Sequence, residues 1–196
     1  EREFIPFIDI AYQGLGQGLD ADAYGLRMMA ERLPELLVAS SCSKNFGLYR
    51  ERTGSITLVA ESAEQAKIVS AQSMSIARQI YSMPPAHGAL LVSLILGDDQ
   101  LRANWQAELE EVRLRIKSMR TLLTDGINNN AAGLDFSHIK QQQGMFSFLG
   151  ITSDQLNRLR EEFAIYIVGS TRVNLAGINS NNIEYLTQSI KTVLDS

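Results

Sequence analysis

The spacing of apolar and polar positions divides the chain into short strands and amphipathic helices. Phe4-Ile5-Pro6-Phe7-Ile8 and Leu36-Leu37-Val38-Ala39 are continuous apolar runs, long enough for buried strands and too short for helices. The first reads as a strand over Ile5 to Ile10 with Asp9 at its end, and Ser55 to Ala60 reads as a further strand packed beside these two. Between the first two, Leu26, Met29, Ala30 and Leu33 share one helical face, which predicts a helix capped by Asp20 or Asp22 and closed by Pro34. Ser62, with Glu64-Gln65 in the first turn, predicts a helix to about Tyr81 that stops before Pro84-Pro85. Ala86 to Leu96 predicts a buried helix, with His87 at its start in a capping or solvated position. Asp98-Asp99 caps a long helix to about Asp125. Along it Leu101, Trp105, Leu109, Val112, Ile116, Met119 and Leu123 form one apolar stripe, and Glu108, Glu110, Glu111, Arg113, Arg115 and Lys117 form a solvated face. Gly126 and Asn128-Asn129-Asn130 end that helix.

The remainder predicts a small α+β unit. Strands are expected at Gln143 to Phe148, Ile165 to Val168 and Arg172 to Leu175, with helices over Ser153 to Phe163 and Asn179 to Leu194. The 45% hydrophobic and 20% charged content of the 196 residues is that of a globular protein with a real core. A net charge of −4 and the lack of any Lys/Arg-rich block argue against a nucleic-acid partner. A single cysteine, Cys42, excludes an internal disulfide and speaks against a zinc cluster. The longest apolar run, Ala89 to Leu96, is too short to span a bilayer, and nothing resembles a signal peptide, so a cytoplasmic protein without a membrane partner is expected.

The densest chemistry lies between Ser40 and Gly54. Small hydroxyl and thiol residues lead from a buried strand into Lys44. A lysine there can sit at the floor of a cleft, where desolvation lowers its pKa from about 10.4 and frees the amine to attack a carbonyl. Ser41, Ser43 and open backbone N–H groups suit a phosphate, and Arg52 adds a permanent charge. A phosphate-bearing aldehyde held on a lysine is what pyridoxal phosphate requires. The residues alone also allow a solvated lysine in a serine-rich turn. Asp9, at the end of a strand, stands where open α/β sheets bind ligands, or caps a turn. Arg78 lies in the last turn of its helix, where the dipole favours a cation. Arg172, among apolar and small neighbours, reads as a buried cation that needs an anion.

Ser-x-Ser-Lys-Asn-Phe-Gly-Leu-Tyr-x-Glu-Arg-x-Gly, from Ser41 to Gly54, resembles the pyridoxal-phosphate lysine segment of the aspartate and aromatic amino-acid aminotransferases. Asp9-x-Ala11-Tyr12-Gln13-Gly14, Tyr81-Ser82-x-Pro84-Pro85-Ala86-His87-Gly88 and Ser170-x-Arg172-x-Asn174-x-x-Gly177 match further family motifs. Nearly the whole chain is similar to the C-terminal half of such an enzyme. The resemblance implies an α/β fold: residues 1–111 as part of the large cofactor-binding domain of a fold-type I enzyme, and residues 112–196 as a small α+β domain. It implies that Lys44 carries the cofactor aldehyde and then serves as general base and acid. Asp9 would face the ring nitrogen and Tyr12 the phenolic oxygen, with Ser41, Ser43 and Arg52 in the cofactor site. Arg172 would bind the substrate α-carboxylate beside Phe146, while Arg78 would cross a homodimer interface to bind a side-chain carboxylate. The implied reaction moves an amino group between aspartate or aromatic amino acids and a 2-oxo acid such as 2-oxoglutarate. Both arginines speak against a lyase. Met83 departs from the asparagine more usual in aspartate-preferring members, which leaves acidic and aromatic substrates both open. The opening Glu1-Arg2-Glu3, directly before a strand, is read as the start of a C-terminal part of a longer protein. The alternative to an enzyme is accordingly a catalytically incompetent fragment that needs the other half.

Overall fold

In the computed structural model, which describes residues 4–129 and 135–195, the chain falls into two compact units, Glu1–Glu110 and Glu111–Ser196. The first contains strand β1 (Phe7–Ile10), helices α1 (Leu19–Asp22) and α2 (Tyr24–Arg32), strands β2 (Leu36–Ser41) and β3 (Gly54–Val59), then α3 (Ala63–Tyr81) and α4 (His87–Gly97). Helix α5 (Asp99–Asn128) contains the boundary. The second unit continues with α6 (Ser137–Gln141), β4 (Phe146–Phe148), α7 (Ser153–Phe163), β5 (Arg172–Asn174), a 3-10 turn at Leu175–Gly177 and α8 (Ile183–Leu194).

In the first unit β2 is the central strand. It pairs in parallel with β1, Asp9 opposite Ala39, and antiparallel with β3, Ser41 opposite Gly54. The parallel pair needs a crossover, which α1 and α2 supply. Leu36 and Val38 of β2 are buried. The single helix expected before Pro34 is two, and neither aspartate caps it. Asp22 instead accepts hydrogen bonds from the backbone N–H groups of Gly14, Gly16 and Gln17 at 2.7–3.0 Å, and Asp20 pairs with Arg27 at 2.9 Å. The Asp22 carboxylate, at the end of α1, thereby ties that helix to the loop after β1, and the helical path breaks at Ala23. At α3 the expectation holds: the Ser62 hydroxyl accepts from Gln65 N.

Helix α4 departs from expectation. Gly88 is its buried position, while Leu90 and Leu94 stand 65% and 62% exposed. The run is apolar on every side, and the described residues cover only a little of it. Asp98 caps α5, accepting from Gln100 N and Leu101 N at 2.9 Å. The helix then passes through Gly126 to Asn128, because Gly126 packs against Thr187 so closely that a Cβ would lie 2.6 Å from its methyl. Leu109, Ile116 and Leu123 of the expected stripe are buried and Ile127 continues it, whereas Leu101 and Val112 are exposed. Asn130 lies outside the described residues. Among the described residues no helix is long and apolar enough to cross a membrane.

The second unit is built on an antiparallel pair, with Phe146 opposite Asn174 and Phe148 opposite Arg172. Ile139, Leu149, Leu159, Leu175, Ile190 and Val193 fill its core. Thr152 and Gln155 form a reciprocal capping box at α7. Ile165 to Val168, expected as a strand, is not one. No neighbouring strand among the described residues offers it a hydrogen-bond ladder, and it runs instead into a turn in which Thr171 N donates to Val168 O.

Candidate functional site

The lysine loop begins where β2 ends. Cys42 N donates to Thr53 O at 3.0 Å, which holds the chain beside the start of β3. The buried Ser43 donates its N–H to Ser41 Oγ at 3.2 Å, and Phe46 N and Gly47 N turn back to Cys42 O and Lys44 O at 3.3 Å each. This turn leaves Lys44 half-buried, with Nζ 4.7 Å from the centre of the Tyr12 ring. Such a cation–π contact contributes about 0.5–1 kcal/mol at a partly exposed site. The loops after β1 and β2 are joined by Asn45 Nδ2, which donates to Gln13 O at 3.2 Å. Behind them stands Trp105 of α5. Its indole N–H donates to Asn45 O at 2.7 Å, and its ring stacks on Phe46 at 4.4 Å with an 11° tilt. Asn45 Oδ1 stays buried without a hydrogen-bond partner, a polar cost borne by the segment that orients Lys44.

Around this loop the structure gathers most of the residues singled out in the sequence. Ser41, Ser43 and Lys44 share the β2 end, and Asp9 stands at the parallel end of β1, exposed. Arg52 lies in the turn before β3 with φ of 53°, a strained value for a residue with a Cβ, and its guanidinium donates to Tyr49 O at 2.7 Å. Gly88 packs the start of α4 onto the same turn: a Cβ there would fall 1.9 Å from Thr53 Oγ1, so only glycine fits. The set comprises an amine, a phenol, a carboxylate, two hydroxyls and a guanidinium, which could hold an anionic aldehyde. Burial pushes the Cys42 thiol up from its ordinary pKa, which keeps it protonated and unreactive beside the lysine. Arg78 lies in the last turn of α3, exposed on the surface.

In the second unit Arg172 stacks on Phe146, the guanidinium carbon 4.6 Å from the ring centre. The two border a cavity of about 400 Å3, further lined by Tyr166, Asn174, Tyr185 and Leu186. Arg172 was expected to be buried, but it is exposed, because β5 presents Val173 to the core and Arg172 and Asn174 to the other face. The buried arginine is Arg120, 3% exposed, which sequence reading missed. Position 120 lies four residues after Ile116 and three before Leu123, on the apolar stripe of α5, and that spacing is the signal that could have found it. Burial pushes its pKa down. Arg115, expected on the solvated face, donates to Ile178 O and Ala176 O at 3.0 and 2.8 Å and so ties α5 to the 3-10 turn.

An α/β chain with a lysine loop at the end of its central strand shares its fold with fold-type I aminotransferases. It matches the aromatic amino-acid aminotransferase of Psychrobacter sp. B6, cocrystallised with aspartic acid, with a TM-score of 0.95 at 42% identity, over 98% of this chain and 48% of that one. For the Burkholderia pseudomallei aromatic-amino-acid aminotransferase covalently bound to pyridoxal phosphate, the TM-score is 0.94 at 42% identity, over 97% and 48%. The chain belongs to the aminotransferase class I and II family, whose pattern matches residues 1–190. It is 54% identical to the aspartate aminotransferase of Haemophilus influenzae across 97% of its own length and 48% of that protein. Against the aromatic-amino-acid aminotransferase of Pseudomonas aeruginosa it is 46% identical over 98% and 48%. The chain thus spans about half the length of the curated relatives it matches.

Proposed function

We propose that this chain forms part of an aminotransferase that moves amino groups between aspartate or aromatic amino acids and a 2-oxo acid, with pyridoxal phosphate as cofactor. The observation that carries the reading is the half-buried Lys44 amine, held over the Tyr12 ring at the end of a strand parallel to the one that bears Asp9. The donor set fits the group. Arg52, Ser41 and Ser43 suit its phosphate, Tyr12 its phenolic oxygen, Asp9 its pyridine nitrogen and Lys44 its aldehyde.

When bound, pyridoxal phosphate supplies an aldehyde for the substrate amine and a ring that accepts electron density from the substrate α-carbon. Lys44 Nζ would hold the cofactor aldehyde, and with substrate present it would be the base that accepts the α-carbon proton and the acid that returns it. The Asp9 carboxylate would face the ring nitrogen and favour its protonated form. Tyr12 would donate its hydroxyl hydrogen to the phenolic oxygen. Arg172 binds the α-carboxylate bidentately, its plane supported by Phe146, and Arg78 of a second protomer binds a distal carboxylate. In this reading the first unit belongs to the large cofactor-binding domain, the second is the small domain, and the enzyme is a homodimer.

Borohydride reduction of the full-length holoenzyme, followed by tryptic mass mapping, is the test. The cofactor mass should appear on the peptide that contains Lys44, and label on another lysine overturns the assignment. A second reading, that the chain expressed alone is inactive, is favoured by the exposure of Ile68, Met74, Ile80, Leu90 and Leu94 on α3 and α4, 57–73% each. Purified alone, it should show no transamination of aspartate or phenylalanine with added pyridoxal phosphate; measurable turnover would exclude this reading.

A further inference from the structure

Position 120 lies on the buried face of α5, where the helix pattern calls for an apolar side chain, yet it carries a guanidinium. Burying that charge is costly unless every donor finds a partner. Arg120 Nη1 donates to Ile139 O at 2.9 Å and to the hydroxyl of Ser147, and Nη2 donates to Gly144 O and Phe146 O at 2.7 and 3.2 Å. None of these partners is a carboxylate. Three of the four belong to the short stretch that enters and forms β4.

The geometry of β4 gives this clamp its consequence. Side chains alternate along a strand, so the buried Ser147 points toward Arg120, while Phe146 and Phe148 face the other way. Arg172 pairs with Phe148 across the ladder and stacks on Phe146, so it lies on that same far face. Leu175 N donates to Met145 O at 2.8 Å and closes the ladder at the other end. The position of the Phe146 ring under Arg172 therefore depends on where the backbone of residues 144–147 is held. The guanidinium of Arg120, anchored on a long helix, holds it from behind.

We propose that Arg120 is a positioning residue for the substrate α-carboxylate: by clamping residues 144–147 it sets the height of Phe146 and, through it, the plane of Arg172. The proposal rests on the reading of Arg172 as the α-carboxylate ligand. Lysine in its place keeps a charge but presents a single point of donors instead of a fork, and cannot serve four separated acceptors. Because every substrate shares the α-carboxylate, the penalty falls equally on acidic and aromatic amino acids.

The test uses the full-length holoenzyme and compares Arg120→Lys with Leu159→Ala, a fully buried α7 residue outside that hydrogen-bond set. Arg120→Lys should raise KM for aspartate and for phenylalanine by the same factor, roughly tenfold, with kcat little changed. Binding of maleate, a dicarboxylate that does not react, should weaken by a similar factor. Leu159→Ala should lower the melting temperature and the active fraction and leave KM as it was. Ser147→Ala removes one acceptor and leaves the charge in place; it should raise both KM values in the same proportion by about twofold, and it decides alone if Arg120→Lys does not fold. Unchanged KM in the folded variants overturns the proposal, as does a rise confined to one substrate class, or an equal rise in Leu159→Ala. A wild-type enzyme that aminates neither substrate's keto acid fails the underlying reading instead, before any variant is compared.

Discussion

Lys44 owes its direction to residues far from it in the chain. Tyr12 meets its amine, Asn45 joins its loop to Gln13, and Trp105 braces Asn45 and Phe46 from α5. Trp105→Phe keeps a ring to stack and loses the indole hydrogen bond, so it should cost about 1 kcal/mol in urea unfolding of the full-length enzyme. Trp105→Ala should cost more than that, because it removes the ring stacked on Phe46 as well. Equal effects of the two would mean the hydrogen bond, not the ring, supports the loop. For Asp9 the consequence is chemical. Asp9→Asn removes the charge that would hold a pyridinium proton, and kcat should fall by orders of magnitude, each 1.4 kcal/mol being about tenfold. Near-normal turnover in that variant removes Asp9 from the site. At this scale the lysine motif was legible through its resemblance to a family segment, since the residues alone also allow a solvated lysine. Arg120 was not, because an arginine in a charged helix reads as solvated until its face is known.

Single elements carry their own tests. Helix α7 begins with a complete capping box and holds an Arg158–Glu162 pair one turn apart, with Nε–Oε1 at 2.6 Å and Nη2–Oε2 at 3.0 Å. Thr152→Ala removes one half of the box and should destabilise the second unit by about 1 kcal/mol, measurable by thermal unfolding. The hydrogen bond from Arg158 holds the Glu162 carboxyl below its ordinary pKa. A carboxyl whose pKa is depressed on folding stabilises the protein above its unfolded pKa, and that contribution fades as the pH falls through the folded value. The melting temperatures of wild type and Glu162→Gln should therefore differ slightly at pH 7 and converge below about pH 4.3, the ordinary glutamate range. A gap that persists in acid would mean the pair acts through packing and not through charge. The element that escaped prediction here, Ile165 to Val168, has strand composition and no partner, which periodicity along one chain does not reveal.

At the scale of the molecule, Arg78 is the residue whose role depends on more than one chain. It stands exposed at the end of α3, and the proposed enzyme uses it across a homodimer. A charge-assisted contact to a carboxylate contributes roughly 1.5–3 kcal/mol per hydrogen bond, and an aromatic ring offers no such partner. Arg78→Ala should accordingly shift the ratio of kcat/KM values toward aromatic substrates by at least about tenfold. Equal losses for aspartate and phenylalanine would make Arg78 a helix-end cation and nothing more. Sedimentation of the full-length enzyme should show a dimer, and an active monomer at assay concentration contradicts the assignment of Arg78.

Local chemistry along the chain sufficed for the strands around β2 and for the Ser62 and Asp98 caps, since each depends on neighbours within a few residues. Other features needed the folded chain. Asp22 ends α1 and binds three backbone donors instead of capping a helix, Gly126 stayed helical against Thr187, and the leucines of α4 remained exposed. Arg172 and Arg120 exchanged the burial that their neighbours suggested. For Asp22, Gly126 and Arg120 the deciding partner lies in another segment of the chain, and a hydrogen bond or a close contact across that distance has no signature in the residues on either side.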